Sequence, residues 1–342
     1  MMQAKHVMIY GTLGPACADP ETLGKMLSEG MDGMRLNLSH TALEESANLI
    51  EAYRKAAERC GKPAALLIDM QGPELRIGKL DEPVRLTENE RIGMDAIPFP
   101  DETIPLLKNA DPGQDILLDD GRILLKTEPE NRLCVIRGGV LKSRKSVALP
   151  GISVHTPAMT EDDLRHIRLA KAYGVTAVMQ PFVRGKDDLL AVRAALREAG
   201  CADLRLLAKV ENAEGVAHLA ELLPCCDEIV IARGDLGNAV PLWELPAVQK
   251  RIAAACRTAG RDFMVVTQML DSMTHRPVPT RAEVSDIFNA VLDGASSVML
   301  TGETAAGEYP VSAIRYLVKT VRAAETYRSS ACPGGSKCGL TE

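Results

Sequence analysis

The sequence predicts an α/β protein whose main domain is a (β/α)8 TIM barrel, with a small all-β lid domain inserted after the third strand. Two observations support this fold class. Eight short apolar runs alternate with amphipathic helical stretches along 342 residues, and the alternation breaks once, between residues 76 and 149. Eight such alternations are typical of a closed parallel barrel, and the length is sufficient for one large core and one small core.

The predicted strands are runs rich in β-branched and other apolar residues. In chain order they are 6–13, 33–38, 64–69, 177–182, 204–210, 228–232, 263–267 and 297–300. A doubly wound parallel sheet is the alternative arrangement. It is weakened because the eight strands occur without an early GxGxxG turn.

The predicted helices lie between these strands, where apolar residues recur at spacings of three and four, as one face of a helix requires. The main ones are 43–59, 161–173, 187–199, 248–258 and 282–292. Thr160 and Thr280 each stand directly before a first turn that contains acidic residues. Both threonines are therefore predicted N-caps.

The break in the alternation predicts the inserted domain. It contains pieces of period two at 83–87, 116–118 and 123–125, a predicted hairpin turn at 119–121, and six prolines, without a convincing long helix. A domain that enters and leaves a barrel at neighbouring points of one rim is well placed to act as a lid. We therefore expect barrel at 1–76 and 147–328, lid at 77–146, and a flexible tail at 329–342.

Composition limits the class of protein. The net charge of −6 argues against general binding to nucleic acid or to a membrane surface, so an anionic substrate would need locally gathered basic residues. The N-terminus has no secretory pattern, no run approaches the roughly 18 apolar residues of a spanning helix, and nine scattered cysteines suit reduced thiols. These features predict a cytoplasmic protein. Cys332 and Cys338 are a candidate metal or redox pair, with loose terminal thiols as the preferred interpretation.

Polar residues gather at the C-terminal ends of the predicted strands, where barrel enzymes build their sites. They fall in five segments: 35–40, 69–76, 209–212, 233–237 and 267–269. Lys209 and Glu211 are two residues apart and should point to the same side of one strand, at the barrel mouth. A lysine beside carboxylates that can hold a metal suits phosphoryl or enolate chemistry, in which negative charge develops.

These motifs, in this order, resemble the pyruvate kinase family from about Tyr10 to about Ala324. The matching pieces are GTLGPAC (11–17), RLNLSH (35–40), IDMQGPELRIGKL (68–80), GQDILLDDGRI (113–123), GGVLKSRKSVALPG (138–151), AKVENAEGV (208–216), ARGDLGNAVP (232–241), TQMLDSM (267–273), PTRAEVSD (279–286) and TGETAAGEYP (301–310). The family fold is a (β/α)8 barrel with a β-domain lid after strand three. The resemblance implies transfer of a phosphoryl group from phosphoenolpyruvate to ADP, giving pyruvate and ATP in glycolysis, with Mg²⁺ or Mn²⁺ and with K⁺.

The resemblance also implies roles for residues of the phosphoenolpyruvate site. Lys209 would stabilise the phosphoryl group in flight and the enolate left behind, and Arg35 would hold the substrate phosphate. Gly234, Asp235 and Thr267 would hold its carboxylate. Glu211 and Asp235 would be the divalent metal ligands. Thr267, with a water relay, is the position to test for the proton donor to the enolate.

Further roles implied by the resemblance concern potassium and the nucleotide. Potassium would be bound by Asn37, Ser39, Asp69 and the backbone of Met70, and Glu74 matches a position that accompanies dependence on a monovalent cation. The nucleotide would be contacted by Asn37, His40, Arg76 and, from the lid, Lys145.

The sequence departs from the family pattern at Met70, Gln71, Ser146, Ala148, Pro181 and Thr301. These changes bear on rate and lid motion rather than on the reaction. Family members normally continue into a further α/β domain that binds effectors and helps to form the tetramer. This sequence ends at Glu342 after a Gly/Ser/Cys tail, so we expect the usual C-terminal α/β domain and its effector site to be absent. We expect the barrel surface, including 279–283, to be a candidate homodimer interface.

Two other functions stay open on the sequence alone. One is a lyase or aldolase that acts on a pyruvate enolate, since a barrel with Glu and Asp on Mg²⁺ also serves that chemistry. The other is a catalytically silent binding module. Arg76 and Lys145 separate the kinase from a lyase, because a lyase has no need of residues that contact a nucleotide.

Overall fold

The computed structural model of the protein describes residues 6–39 and 41–331. His40 and the tail cysteines Cys332 and Cys338 lie outside the described residues. All cysteines among the described residues have free thiols. None of the described helices is long and apolar enough to cross a membrane.

Eight parallel strands form a closed barrel, which confirms the predicted fold class and excludes the doubly wound sheet. The first three are β1 (Met8–Thr12), β2 (Gly33–Asn37) and β3 (Ala65–Asp69). Seven strands of the inserted domain follow: β4 (Val84–Leu86), β5 (Arg91–Gly93), β6 (Asp115–Leu118), β7 (Ile123–Glu128), β8 (Arg132–Arg137), β9 (Gly139–Leu141) and β10 (Val147–Ala148). The barrel is completed by β11 (Ala177–Gln180), β12 (Arg205–Val210), β13 (Glu228–Ala232), β14 (Asp262–Val266) and β15 (Ser297–Met299).

Alternation along each barrel strand separates two layers of core. On β13, Val230 and Ala232 belong to the cluster inside the barrel, whereas Ile229 and Ile231 pack outward against the helices. The interior cluster contains three buried methionines, Met179, Met264 and Met299, and one aromatic residue, Tyr10. Flexible methionine fills the volume that a sequence with 3% aromatics must fill without large rings.

The helices cover the outside of the barrel. In chain order they are α1 (Pro20–Glu29), α2 (Ala47–Arg59), α3 (Ile104–Asn109, in the inserted domain), α4 (Glu161–Leu169), α5 (Lys186–Glu198), α6 (Ala213–Ala217), α7 (Leu219–Leu222), α8 (Arg233–Ala239), α9 (Leu245–Thr258), α10 (Arg281–Leu292), α11 (Gly302–Ala305) and α12 (Pro310–Ala331). Thr160 and Thr280 both form capping boxes, with Asp163 and Glu283 as the reciprocal partners. The predicted caps are therefore confirmed.

The inserted domain is a five-stranded antiparallel sheet in the order β10-β6-β7-β8-β5, with a second sheet of β4 and β9. It has a core of its own, in which Ile116, Leu118, Leu125 and Val135 are fully buried. β10 pairs with β6, so the inserted sheet reaches two residues past the expected end at 146. The incoming and outgoing chains run side by side, since Ile77 N donates to Lys145 O and Val147 N donates to Leu75 O.

Candidate active site

Strand alternation places three charged side chains inside the barrel at its C-terminal end. Leu207 is in the interior cluster, so Lys209 and Glu211, two and four residues further along, follow on the same side. Asp69 stands in the same relation to Leu67 on β3. The structure therefore brings together at one rim residues that are up to 142 positions apart in the sequence.

Asp69 is the centre of this group. Its Oδ2 accepts from Arg35 Nη2 at 2.6 Å and Nε at 2.8 Å, and lies 3.1 Å from Lys209 Nζ. Burial acts to raise the pKa of Asp69, but Lys209 and Arg35 outweigh it and hold that pKa below its ordinary value. The Asp69 carboxylate therefore stays ionised and fixes both cations in place.

Lys209 keeps its charge despite its burial. Burial acts to lower the pKa of the Lys209 ammonium, and the carboxylates of Asp69 and Glu211 act to raise it. The two carboxylates together outweigh burial, so the pKa lies above its ordinary value. The ammonium lies 3.5 Å from Glu211 Oε2. Lys209 is therefore a fixed positive charge at neutral pH.

Glu211 is a buried carboxylate with an incomplete set of partners. Its Oε1 accepts from Phe182 N at 2.7 Å, whereas its buried Oε2 accepts no hydrogen bond from the described residues. Burial raises the pKa of Glu211 to about 8, Lys209 acts against this, and Asp235 and Asp69 add to it. Burial likewise raises the pKa of Asp235, with Asp120 and Asp69 acting in the same direction as burial.

The pair Glu211 and Asp235 fits a divalent cation. Burial raises the pKa of both carboxyl groups, and Glu211 Oε2 accepts no hydrogen bond from the described residues, with Lys209 Nζ 3.5 Å away. A bound cation would therefore add positive charge next to both carboxyl groups. Within residues 6–39 and 41–331, no group of three or more His, Cys, Asp or Glu side chains is arranged for a metal. Mg²⁺ commonly uses only one or two carboxylates and takes its other ligands from water and substrate phosphates.

Thr267 follows directly after β14 in an unusual backbone conformation. Its φ is +76°, and that of Gln268 is +55°, which is rare for residues other than glycine. Gly234, in the first turn of α8, permits a close approach, because a Cβ there would lie 3.0 Å from Thr267 Cγ2. The structure therefore packs Gly234 directly against Thr267, with Asp235 as the next residue.

The expected potassium ligands lie at the ends of β2 and β3. Asn37 Oδ1 accepts from Ser39 N at 3.2 Å, and Met70 is buried next to Asp69. The donors would all be oxygen atoms, which suits a hard cation. Asp69 already binds Arg35 and Lys209, so a potassium ion would have to share this carboxylate.

The expected nucleotide contacts Arg76 and Lys145 lie where the lid joins the barrel, and both are paired. Arg76 donates to Glu74 Oε2 through Nε at 3.0 Å and Nη2 at 2.8 Å. Lys145 Nζ lies 2.6 Å from Asp119 Oδ1. Phosphate oxygens would therefore have to compete with these carboxylates.

The structure also accommodates the departures at Pro181 and Thr301. Gly72, at φ +57°, leaves room for Pro181, whose Cγ would lie 2.5 Å from a Cβ at that position. Thr301 donates from its backbone to Glu303 Oε2 at 2.8 Å. Ala148 lies in β10, on the wall of a cavity of about 240 Å³ between the lid and the barrel, and Glu211 and Asp235 border the same cavity.

Sequence reasoning missed three groups that hold the site residues. Asp163, the reciprocal partner of the Thr160 cap of α4, also accepts from Gln71 N at 2.8 Å and Gly72 N at 3.0 Å. Phe182, at φ +51°, offers its amide to Glu211. Arg233 binds the carbonyl of Thr267. Arg233 lies in the ARGDLGNAVP motif, so its position beside Gly234 was the available signal.

Comparisons with known proteins show the family of this chain. The family model described as "Pyruvate kinase, barrel domain" matches residues 4–314. The pyruvate kinase of Geobacillus stearothermophilus is 38% identical over 325 residues, which is 91% of this chain and 55% of that protein. That of Bacillus licheniformis is 39% identical over 325 residues, covering 91% and 56%. That of Corynebacterium glutamicum is 38% identical over 334 residues, covering 94% and 70%. The chain thus spans about half the length of the first two relatives.

Proposed function

Because the chain belongs to the pyruvate kinase family, we propose that it transfers a phosphoryl group from phosphoenolpyruvate to ADP, giving pyruvate and ATP as in glycolysis. The observation that carries the proposal is the charge arrangement at the barrel mouth. Two cations there, one buried and one partly buried, share one carboxylate, and the pKa values of two further carboxyl groups, Glu211 and Asp235, are raised above their ordinary values. This arrangement suits a phosphorylated anion that brings a divalent cation with it.

Arg35 and Lys209 form the anion site in this proposal. Arg35 is held through two of its nitrogens by Asp69, so its guanidinium is fixed before the substrate phosphate binds. Lys209 is directed by the same carboxylate. Charge that develops on the transferring phosphoryl group and on the enolate oxygen therefore meets donors that need no rearrangement.

The proton that converts the enolate to pyruvate has to come from a group other than Lys209. The pKa of Lys209 lies above its ordinary value, so the ammonium is a poor acid at neutral pH. Thr267 stays our candidate, acting through a water relay. The Thr267 side chain lies against Gly234, beside the proposed metal ligand Asp235.

Glu211 and Asp235 would hold Mg²⁺ or Mn²⁺. When bound, such an ion supplies positive charge to the phosphoryl and enolate oxygens. K⁺ would be bound by Asn37, Ser39, Asp69 and Met70. We place His40, which lies outside the described residues, with Asn37, Arg76 and Lys145 in the nucleotide site. A cytoplasmic location and a barrel-mediated homodimer stay proposals, for cell fractionation and light scattering to test.

The direct test is formation of pyruvate from phosphoenolpyruvate and ADP by the wild type and by Lys209→Met, with and without Mg²⁺ and K⁺. We expect the variant to lose roughly 10³-fold or more of kcat, because a charge fixed next to the reacting oxygens is removed. Lys62→Met is the matched control. Lys62 is a partly buried lysine that donates to Met31 O at 2.8 Å, before the start of β3, and its variant should keep full turnover.

Equal turnover in the wild type and Lys209→Met would refute the mechanism. Pyruvate formation that does not depend on ADP would favour the lyase alternative. No turnover of the wild type under any of these conditions would favour the catalytically silent module.

A further inference from the structure

We propose that Arg233 is a positioning residue that holds Thr267 in its left-handed backbone conformation, and that Asp286 fixes Arg233 for this purpose. The proposal rests on the proposed function, in which Thr267 touches the substrate. The roles assigned above to the segment 233–237 concern Gly234 and Asp235 only.

The backbone at Thr267 needs an external constraint. Thr267 is β-branched, and such residues are strongly disfavoured at positive φ, yet its φ is +76° and the next residue is also left-handed at +55°. Alternation along β14 places Met264 and Val266 inside the barrel, so a continued strand would turn Thr267 toward the outer helices. The left-handed turn instead places Thr267 Cγ2 against Gly234.

Arg233 supplies this constraint by binding the carbonyl of Thr267. Its Nη2 donates to Thr267 O at 2.8 Å and its Nε donates to the same oxygen at 3.2 Å. Its Nη2 also lies 2.9 Å from Met269 Sδ. The arginine therefore fixes the peptide plane between the two left-handed residues and reaches across the turn to Met269.

Asp286 fixes Arg233 from the other side. Its Oδ2 accepts from Arg233 Nη1 at 2.5 Å, and it lies on α10, an element separate from both α8 and β14. The Arg233 side chain is only 11% exposed, so little water competes for the guanidinium. The planar guanidinium of an arginine has N–H donors on two edges, so it can bind a carbonyl and a carboxylate at the same time. A lysine ammonium cannot reproduce that geometry.

The far end of the turn is fixed independently by Glu303. This buried carboxylate accepts from Leu270 N at 3.1 Å and from Thr301 N at 2.8 Å. With one end of the turn fixed in this way, loss of Arg233 should release Thr267 and Gln268 while the segment after Leu270 stays in place. The effect of the loss should therefore be local.

A double-mutant cycle tests the proposal. We expect Arg233→Lys to lower kcat roughly 10- to 100-fold, since a misplaced group near the reacting atoms loses most of its contribution. We expect Thr267→Ala to lower kcat by about 100-fold. If Arg233 acts through Thr267, the double variant should match Thr267→Ala within about threefold. Losses that multiply in the double variant would overturn the proposal.

Arg193→Lys is the matched control for a merely structural effect. Arg193 also joins a carbonyl to a carboxylate, since it donates to Leu204 O at 3.2 Å and to Asp227 Oδ2 at 2.6 Å, at the opposite end of the barrel. Both lysine variants should lower Tm to a similar extent, but only Arg233→Lys should lower kcat. Equal kcat in the two lysine variants would also overturn the proposal.

A readout that needs no turnover separates this proposal from the proposed function. Crystal structures of the wild type and Arg233→Lys should show Thr267 at positive φ in the wild type only. Thr267 that stays left-handed in Arg233→Lys would refute the positioning role, even if the kinase is active. A wild type that forms no pyruvate, together with a Thr267 turn that relaxes in the variant, would refute the proposed function and leave the positioning role supported.

Discussion

Each end of the barrel buries a glutamate beside a basic residue, but the two glutamate carboxylates differ in their hydrogen-bond partners. At the N-terminal end, Glu228 begins β13 and both of its oxygens are bonded. Its Oε1 accepts from Ser297 Oγ at 2.5 Å and Ser296 Oγ at 3.1 Å, and its Oε2 accepts from Arg205 at 2.8 Å. At the C-terminal end, Glu211 Oε1 accepts from Phe182 N, whereas Oε2 accepts no hydrogen bond from the described residues and lies 3.5 Å from Lys209 Nζ.

This difference in hydrogen bonding indicates that the N-terminal end has a structural role and the C-terminal end a role in ligand binding. A buried charge with all its hydrogen bonds in place can be held at little net cost, whereas one without them is destabilising. The Glu228 network joins the first residues of β12, β13 and β15, so it closes the barrel at a place remote from substrate. The charge imbalance at the mouth is retained at the end where barrel enzymes bind ligands.

The largest effect that this comparison of the two ends predicts comes from one substitution made at both ends. Glu211→Gln should lower kcat by roughly 10²- to 10³-fold at saturating Mg²⁺, because one proposed metal ligand loses its charge. Glu228→Gln should change kcat less than about twofold, because it lies outside the proposed site. Steady-state pyruvate formation measures both. A comparable loss in the two variants would break the distinction between the ends.

The relative positions of Lys209 and Glu211 could be predicted from the sequence, because the alternation of side chains along a strand is a local property. Lys209 and Glu211 were expected on one side of a strand, and the structure places them 3.5 Å apart. All eight predicted barrel strands are present in the structure, and their ends differ from the predicted ends by at most two residues. Thr160 and Thr280 were identified as caps because the acidic partner follows within one turn of the same helix.

Features that depend on distant partners could not be predicted in this way. The three-residue strand β5 exists because Gly93 pairs with Arg132 on β8, and three residues carry too little periodicity to be recognised. The pairing of Arg233 with Thr267 requires a left-handed threonine, which composition does not signal. The partner of Lys145 was missed because Asp119 is brought to it only by the fold of the lid.

The second expected effect concerns stability and its dependence on pH. Glu228→Gln should lower the free energy of unfolding by about 2 kcal/mol, because Arg205 loses a charge-assisted partner. Glu211→Gln should instead raise it, by on the order of 2 kcal/mol at pH 8 without divalent cations, because it removes a buried charge that Lys209 offsets only in part. Denaturant unfolding in the presence of a chelator measures both values.

The sign of the pH effect follows from the direction of the shift. Burial raises the pKa of Glu211 from 4.5 to about 8, so the folded state binds this proton more tightly than the unfolded state does. Its stabilising contribution is complete below about pH 4.5 and is lost as the pH rises toward about 8. Glu211→Gln should therefore show its advantage at high pH only, and Mg²⁺ should remove that advantage. An advantage that stays the same from pH 5 to pH 8 would contradict the assignment.

The smallest expected effect lies in the lid, which brings a further carboxylate toward the mouth. Gly121 follows Asp119 and Asp120 in a turn where all three residues have positive φ. A Cβ on Gly121 would lie 2.5 Å from Asn238 Oδ1 on α8. The absence of a side chain at Gly121 therefore lets the lid turn contact the barrel. Burial is the main cause of the raised pKa of Asp235, and the negative charge of the nearby Asp120 adds to it.

Gly121→Ala should raise the KM for ADP about three- to tenfold with little change in kcat, because contact between the lid and the barrel becomes strained by about 1 kcal/mol. Gly113→Ala separates this contact from backbone strain. Gly113 lies in the same domain at φ +93°, and a Cβ there would meet nothing within 4 Å. Both alanine variants carry the cost of a positive φ, but only the one at Gly121 presses on α8. The same KM in both would mean that closure of the lid on this helix does not support nucleotide binding.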